Sequence, residues 1–351
     1  MPCGAHGPAK NFQTHLFKPR TCCVSQRPVD FPLPRVLQRR KWFACIWRGH
    51  KRTSFINTVH RSPEGNMSLV QPGDDLQDPL LTEAAQLRAS PAFAAAIREY
   101  TVGLARFREA PRLVNKLISY ESRFRVTGYL LYLDADHERF GADGGATYTR
   151  LLELCTRRNE VSPRVLKTTL AMLKLAGFIK SAPSPSDRRS KSYRPTARMN
   201  EFTRNWLTYA VGALDVLQPR ESRIKQLNND PDFIRRFLVS GGRDHIVGEP
   251  PADRMPEFIG FFGSREGAAA LVLSVMLAGI DGTPLPSRAQ IASRFGLSKT
   301  QVSKMIAEGG DLRFFAVDAA GVPAATDYLR DAYAQWISIE LAFYARHMQP
   351  A

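Results

Sequence analysis

The sequence has little that would support chemistry. Its 351 residues contain no G-x-S-x-G, no G-x-x-x-x-G-K-[ST] and no H-E-x-x-H, and of seven histidines only His137, His245 and His347 lie beyond Met67. Nucleophile elbows, phosphate-cradling loops and zincin sites are excluded, so no enzyme and no cofactor is expected. Cysteine is scarce: Cys155 is the only one of five to follow Met67. A disulfide framework is therefore excluded after the first 66 residues, which fits a cytoplasmic protein. Long apolar runs are missing as well. The longest, Ala268 to Ile280, has thirteen residues, whereas about 20 are needed to cross a bilayer, so it reads as a buried helix and no membrane span is expected.

Acidic side chains are in deficit. Lys and Arg number 49 against 33 Asp and Glu, a net charge of +16. The excess is uneven: residues 1–66 hold twelve basic and two acidic groups, which leaves +6 for everything after them. Residues 150–198 alone hold twelve basic and three acidic groups. The remainder is slightly acidic, so positive charge beyond Met67 is concentrated in one region, the footprint expected for phosphate contact.

Residues 1–66 carry Pro at positions 2, 8, 19, 28, 32, 34 and 63 and no sustained helical or strand period. They read as a disordered basic leader, and Met67 is a candidate native start. Cys3, Cys22, Cys23 and Cys45 lack metal-ligand spacing. Asp134, Asp136, Glu138 and Asp143 mimic a calcium loop, but Arg139 stands where the loop needs Gly and Gly145 where it needs Glu. No metal is expected at either place.

The most informative stretch runs from Val161 to Thr196. Ser162 can cap a helix and Pro163 suits its first position. At about 100° per residue, Val165, Leu166, Thr169, Leu170 and Leu173 share one side, while Arg164, Lys167, Thr168 and Ala171 share the other. Gly177 closes the helix, Phe178-Ile179 starts a strand, and the tip Pro183 to Lys191 has no apolar side chain to bury. A capped helix, a glycine stop and a basic finger together outweigh the plainer reading of a solvated charge run.

Residues about 122–198, and 148–198 most specifically, resemble the winged helix-turn-helix of MarR-type transcriptional regulators. Ser162-Pro163 opens the recognition helix, Gly177-Phe178-Ile179 leads into the wing, and Asp187-Arg188-Arg189 forms its tip. The resemblance implies that the helix enters the major groove, with Pro163, Arg164, Lys167 and Thr168 facing bases and phosphates. It also implies that Arg188, steadied by Asp187, reaches the minor groove. Ser162, Arg189 and Lys191 complete the candidate DNA-binding set.

Elsewhere the chain reads as amphipathic helices. Ser90-Pro91 precedes a stripe of Phe93, Ile97, Tyr100, Leu104 and Phe107, Pro111 begins another helix, and residues 122–133, 197–217 and Tyr328 to His347 follow the same spacing. The helices ahead of the winged region suit burial in their own domain, with a homodimer as the alternative. Residues 240–257 read as a long loop. In the second half, Arg288 to Ala307 fits a helix-turn-helix pattern: Ala292 is small where helices cross, Gly296 turns, and Ile291, Phe295, Leu297, Val302 and Met305 fill the angle. Ser298 caps its second helix, which presents Lys299, Thr300, Gln301 and Lys304. Glu308 to Asp311 reads as an acidic, loose segment where a wing should begin, and only Phe314 to Val317 reads as a strand.

The expected fold is mainly α, with tandem winged helix-turn-helix domains, small β-wings and a disordered N-terminal leader. Its divisions are 1–66 leader, 67–217 helical layer and first winged domain, 218–260 linker, and 261–351 second domain. The expected function is sequence-specific regulation of transcription through double-stranded DNA. A replication or partition initiator with tandem winged helices is one alternative, and a winged-helix protein-interaction scaffold is another. No motif names an effector.

Overall fold

Capping side chains set where most of the long helices begin. The side chains of Asp78, Thr147, Ser162, Thr196, Ser287, Ser298 and Thr326 each accept a hydrogen bond from a backbone N–H of the first turn they precede. The computed structural model describes residues 78–141, 145–183 and 191–348. The leader, the Met67 start, Asp143 and the tip residues Asp187, Arg188 and Arg189 lie outside the described residues. All the others belong to one compact unit.

That unit is mainly helical, with two small antiparallel sheets. It opens with α1 (Pro79–Arg88), α2 (Phe93–Phe107), α3 (Arg112–Ile118), α4 (Glu121–Ala135) and a single-turn α5 (His137–Phe140). Next come α6 (Tyr148–Arg157), α7 (Pro163–Leu175), the strands β1 (Ile179–Pro183) and β2 (Lys191–Pro195), and the long α8 (Ala197–Leu217). The connection that follows is α9 (Arg223–Asn229), α10 (Phe233–Val247) and α11 (Pro256–Phe262). The chain ends with α12 (Ala268–Asp281), α13 (Arg288–Phe295), α14 (Lys299–Asp311), β3 (Phe315–Val317), β4 (Pro323–Ala325) and α15 (Asp327–His347).

Two apolar cores meet inside. One gathers side chains of α3, α4, α6 and α7 with Phe178 and Ile179. The other gathers α1, α2, α8 and the helices from α10 to α15. Trp206, Tyr209 and Leu238 pack against both. The apolar run of α12 is buried from Ala268 to Met276, as its composition predicts. The leading helices are shared reciprocally: α2 packs on α8 and α12, whereas α10 packs on α15 and α4. Among the described residues no helix is long and apolar enough to cross a membrane.

Two segments differ from the sequence reading. Residues 240–247 are not loop but the C-terminal half of α10, which continues through Gly241 and Gly242. A Cβ at Gly242 would stand 2.5 Å from the Tyr132 ring and one at Gly241 3.2 Å from Phe343. The glycines are there for close helix contact, and tertiary packing overrides their poor helix propensity. Likewise Glu308 to Asp311 is the last turn of α14. Gly309 is buried there because the Phe315 ring lies over it. A second hairpin follows, pairing Phe315 with Ala325 and Val317 with Pro323.

Candidate nucleic-acid interface

The first candidate surface is built on α6, α7 and the β1–β2 hairpin. After α6 the chain turns through Asn159, which takes φ +51°. Asn adopts this left-handed conformation more readily than most residues, so the turn needs no glycine at position 160. Glu160 is instead buried, accepting from Tyr129 Oη at 2.9 Å and from Arg125 Nη1 at 3.1 Å. The next helix starts as predicted: Ser162 Oγ accepts from the Val165 N–H at 3.4 Å. Leu166, Thr169, Leu170 and Leu173 are buried, while Ser162, Pro163, Arg164, Lys167, Thr168 and Ala171 are exposed.

The cations of this region divide by what they touch. Arg157 pairs with Glu153, Arg158 with Glu160 and Asp253, and Arg194 with Asp134. Arg150 donates to the Gly145 carbonyl, and Arg198 lies over the Phe178 ring. These groups hold the fold. Arg164, Lys167, Lys180 and Lys191 are exposed and have no carboxylate partner among the described residues. Lys167 Nζ lies 5.7 Å above the Tyr148 ring. The Thr168 hydroxyl donates to the Arg164 carbonyl at 2.9 Å, leaving its methyl and an oxygen lone pair outward. Lys180 was missed by sequence reasoning. Its signal was the strand's alternation, since it follows buried Ile179.

The hairpin is docked, not free-standing. Thr147 forms a bridge to Ser192, and the Tyr193 N–H donates to the Ala146 carbonyl at 2.7 Å. The segment before α6 thus meets β2 through a single bridge. Lys174 Nζ donates to Ser181 Oγ at 3.2 Å, tying the end of α7 to β1. Arg188 and Arg189 lie outside the described residues, so the structure carries the surface only as far as Pro183 and Lys191. Cys155 is buried beneath it, and burial pushes its thiol up to about 11, so it stays protonated at neutral pH.

The second candidate surface is α13, α14 and β3–β4. Gly296 makes the turn at φ +69°. Ser298 and Gln301 form a reciprocal capping box, in which Ser298 Oγ accepts from the Gln301 N–H at 3.1 Å and Gln301 Oε1 accepts from the Ser298 N–H at 2.9 Å. The Gln301 amide oxygen is therefore committed to the cap, and the residue is only half-exposed. Lys299, Thr300 and Lys304 are exposed. Arg288 donates to the Gly321 carbonyl at 2.6 Å and to Ser303 Oγ at 3.4 Å, which pins the hairpin to the helices. Arg294 is held by Glu109 at 2.9 Å.

One set of hydrogen bonds occurs in both places. The Phe178 N–H donates to the Leu173 carbonyl, and Thr196 donates to Phe178 and Gly177 through its N–H and hydroxyl before capping α8. The Phe314 N–H donates to the Gly309 carbonyl, and Thr326 makes the same bonds to Phe314 and Arg313 before capping α15. Comparison with protein-family models, with curated proteins and with solved structures gives no match.

Proposed function

We propose that this chain is a sequence-specific regulator of transcription that binds double-stranded DNA through two winged helix-turn-helix units in tandem. In the first, α7 is the recognition helix and β1–β2 the basic wing. The observation that carries the reading is the exposed face of α7 with Arg164, Lys167 and Thr168, flanked by Lys180 and Lys191 and free of carboxylates. A major groove admits one helix; a guanidinium suits the two acceptors of guanine, and ammonium groups suit phosphates. The first turn of α7 adds N–H groups and a positive dipole end, with the exposed Ser162 hydroxyl free to donate. The bridge from Thr147 to Ser192 supports a wing held at a fixed angle to that helix.

The MarR resemblance adds Arg188 in the minor groove, with Arg189 beside it. The recurring hydrogen bonds support a second unit of the same kind, in which Lys299, Thr300 and Lys304 form the outward face and Ser298 and Gln301 cap it. Linking two units in one chain raises the effective concentration of each on a two-part site.

Gel shift across a salt series is the test. Three phosphate contacts from Lys167, Lys180 and Lys191 give a slope of about −2.7, or about a 40-fold loss of affinity between 50 and 200 mM salt. A flat salt dependence, or retention of a protein partner without DNA, favours the scaffold reading and rejects this one.

A further inference from the structure

The seam between the two cores holds a partly open cavity of about 160 Å³. It is walled by α2, α4, α8, α10 and α15, with Trp206 and Trp336 among its lining residues. The two indoles are related by the internal repeat, each ten residues after the capping threonine, Thr196 or Thr326. From the repeat, the cavity geometry and its unpaired polar atoms we infer that this is a binding site for a small one-ring aromatic molecule bearing a carboxamide-like acceptor. The inference does not depend on the DNA reading.

Gly128 is the first observation behind it. Every residue of α4 from Arg125 to Leu133 is buried except this one. A Cβ at Gly128 would meet no heavy atom within 4 Å, and the residue lines the cavity. A glycine in mid-helix is destabilising, and here it leaves open space in the wall.

The second observation is polar. His245 Nε2 and Arg108 Nε are buried in the cavity lining without a hydrogen-bond partner. Unpaired buried groups cost free energy that a ligand able to pair them recovers. The guanidinium needs an acceptor and the imidazole nitrogen a partner of either kind, and a carboxamide offers a carbonyl and an N–H. Burial, reinforced by the carboxylate of Glu121, pushes the Glu340 carboxyl up to about 8, and burial, with the nearby guanidinium of Arg125, pulls the His245 imidazole down to about 3. Arg108, which burial pulls down only to about 10, keeps its charge, so the cavity favours an acceptor and disfavours a second cation. Size sets the rest: an apolar cavity of about 150 Å³ holds one benzene ring.

Benzamide is the probe, titrated into the full chain with tryptophan fluorescence and thermal melts as readouts. The expected result is a saturable fluorescence change, a rise in Tm of about 3 °C at ten times Kd, and NOEs from the ring protons to the indole N–H of Trp206 or Trp336. Benzylamine, a cation at pH 7, binds at least tenfold more weakly. Gly128→Leu fills the space, keeps the Tm and abolishes the response. Absence of a saturable response and of NOEs in the native chain overturns the site, whether or not the variant folds. A folded Gly128→Leu protein that responds as the native chain does overturns the placement, and benzylamine binding as tightly as benzamide overturns the acceptor-bearing ligand class.

Discussion

The two helix–turn–helix–hairpin units share backbone hydrogen bonds and differ in almost everything mounted on them. In the first, the turn is closed over a buried carboxylate, that of Glu160, and the hairpin is braced by the bridge at Thr147. In the second, Leu297 occupies the matching place after the turn glycine, and the three-residue strands pair only with each other. Residues 150–198 have twelve cations against three acids, whereas residues 287–326 have five against three. The second hairpin shows solvent Val317 and Val322, at 44% and 46% exposure, where the first strand pair shows Lys180 and Lys191. The caps and turn bonds evidently build the scaffold without reference to the outward face. That face then differs freely, with more unpaired cations in the first unit and exposed valines in the second.

The sharpest way to break the comparison is at the turns. Arg125 is 8% exposed and holds Glu121, Glu160 and Asp253 together, joining α4 to the first turn and to the segment before α11. Removing one partner of a buried ionic cluster leaves charge unpaired and costs about 3–5 kcal/mol. Arg125→Ala is expected to lose that much in urea unfolding. Leu297→Ala, which only empties part of a half-buried apolar contact, is expected to lose about 2 kcal/mol. Equal losses at both turns would mean that the ionic closure is no different in kind from the apolar one.

The closing helices offer the next contrast. Glu340 on α15 stands fourteen residues after Thr326, and Ala210 on α8 stands fourteen after Thr196. Burial lifts the Glu340 carboxyl to about 8, above its ordinary value of about 4.3. A raised acid contributes stability that is complete below the ordinary value and is lost as pH rises through the folded one. Glu340→Gln cannot ionise, so its advantage over the native chain is nearly absent at pH 4 and grows to about 4 kcal/mol between pH 7 and 8. Melts at pH 4.5 and 8 measure it, and a constant difference between the two would remove Glu340 from the account.

Affinity for DNA separates the outward faces more gently. Arg164→Ala and Lys167→Ala are each expected to weaken binding about tenfold, and Lys167→Ala to flatten the salt slope by about 1. Thr300→Ala and Lys304→Ala are expected to have smaller effects, read in the same gel shifts. If the second pair costs as much as the first, charge density is not what distinguishes the units.

Much of this organisation was legible in the sequence, and the exceptions share a cause. Ser162-Pro163, Ser298 and the three-and-four spacing of Leu166, Leu170 and Leu173 signal locally, because capping and amphipathicity act within one or two turns. Gly241, Gly242 and Gly309 read as breakers because the reason for them is a ring from a distant element, Phe343, Tyr132 or Phe315, that no local window contains. The burial of the Glu160 carboxylate is likewise invisible locally, since its partner Arg125 is 35 residues away. Lys180 and the bridge at Thr147 were obscured because a register is fixed by pairing and not by composition.

The finest contrast lies at the ends of α7 and α14, where the same left-handed position is filled by Gly177 at φ +72° and by Arg313 at φ +61°. A Cβ at Gly177 would come no closer than 3.7 Å to Arg198, so space is not what selects glycine there. Gly177→Ala therefore measures backbone strain alone and is expected to cost about 1 kcal/mol. Arg313→Gly relieves that strain but gives up every contact of the side chain, among them a guanidinium 5.8 Å above the Tyr328 ring, worth about 0.5 kcal/mol at an exposed site. A gain in urea unfolding is expected only if those contacts together are worth less than the strain of about 1 kcal/mol. A loss on Arg313→Gly would show that the contacts outweigh the strain, and that the second unit retains an unfavourable backbone for the sake of its side chain.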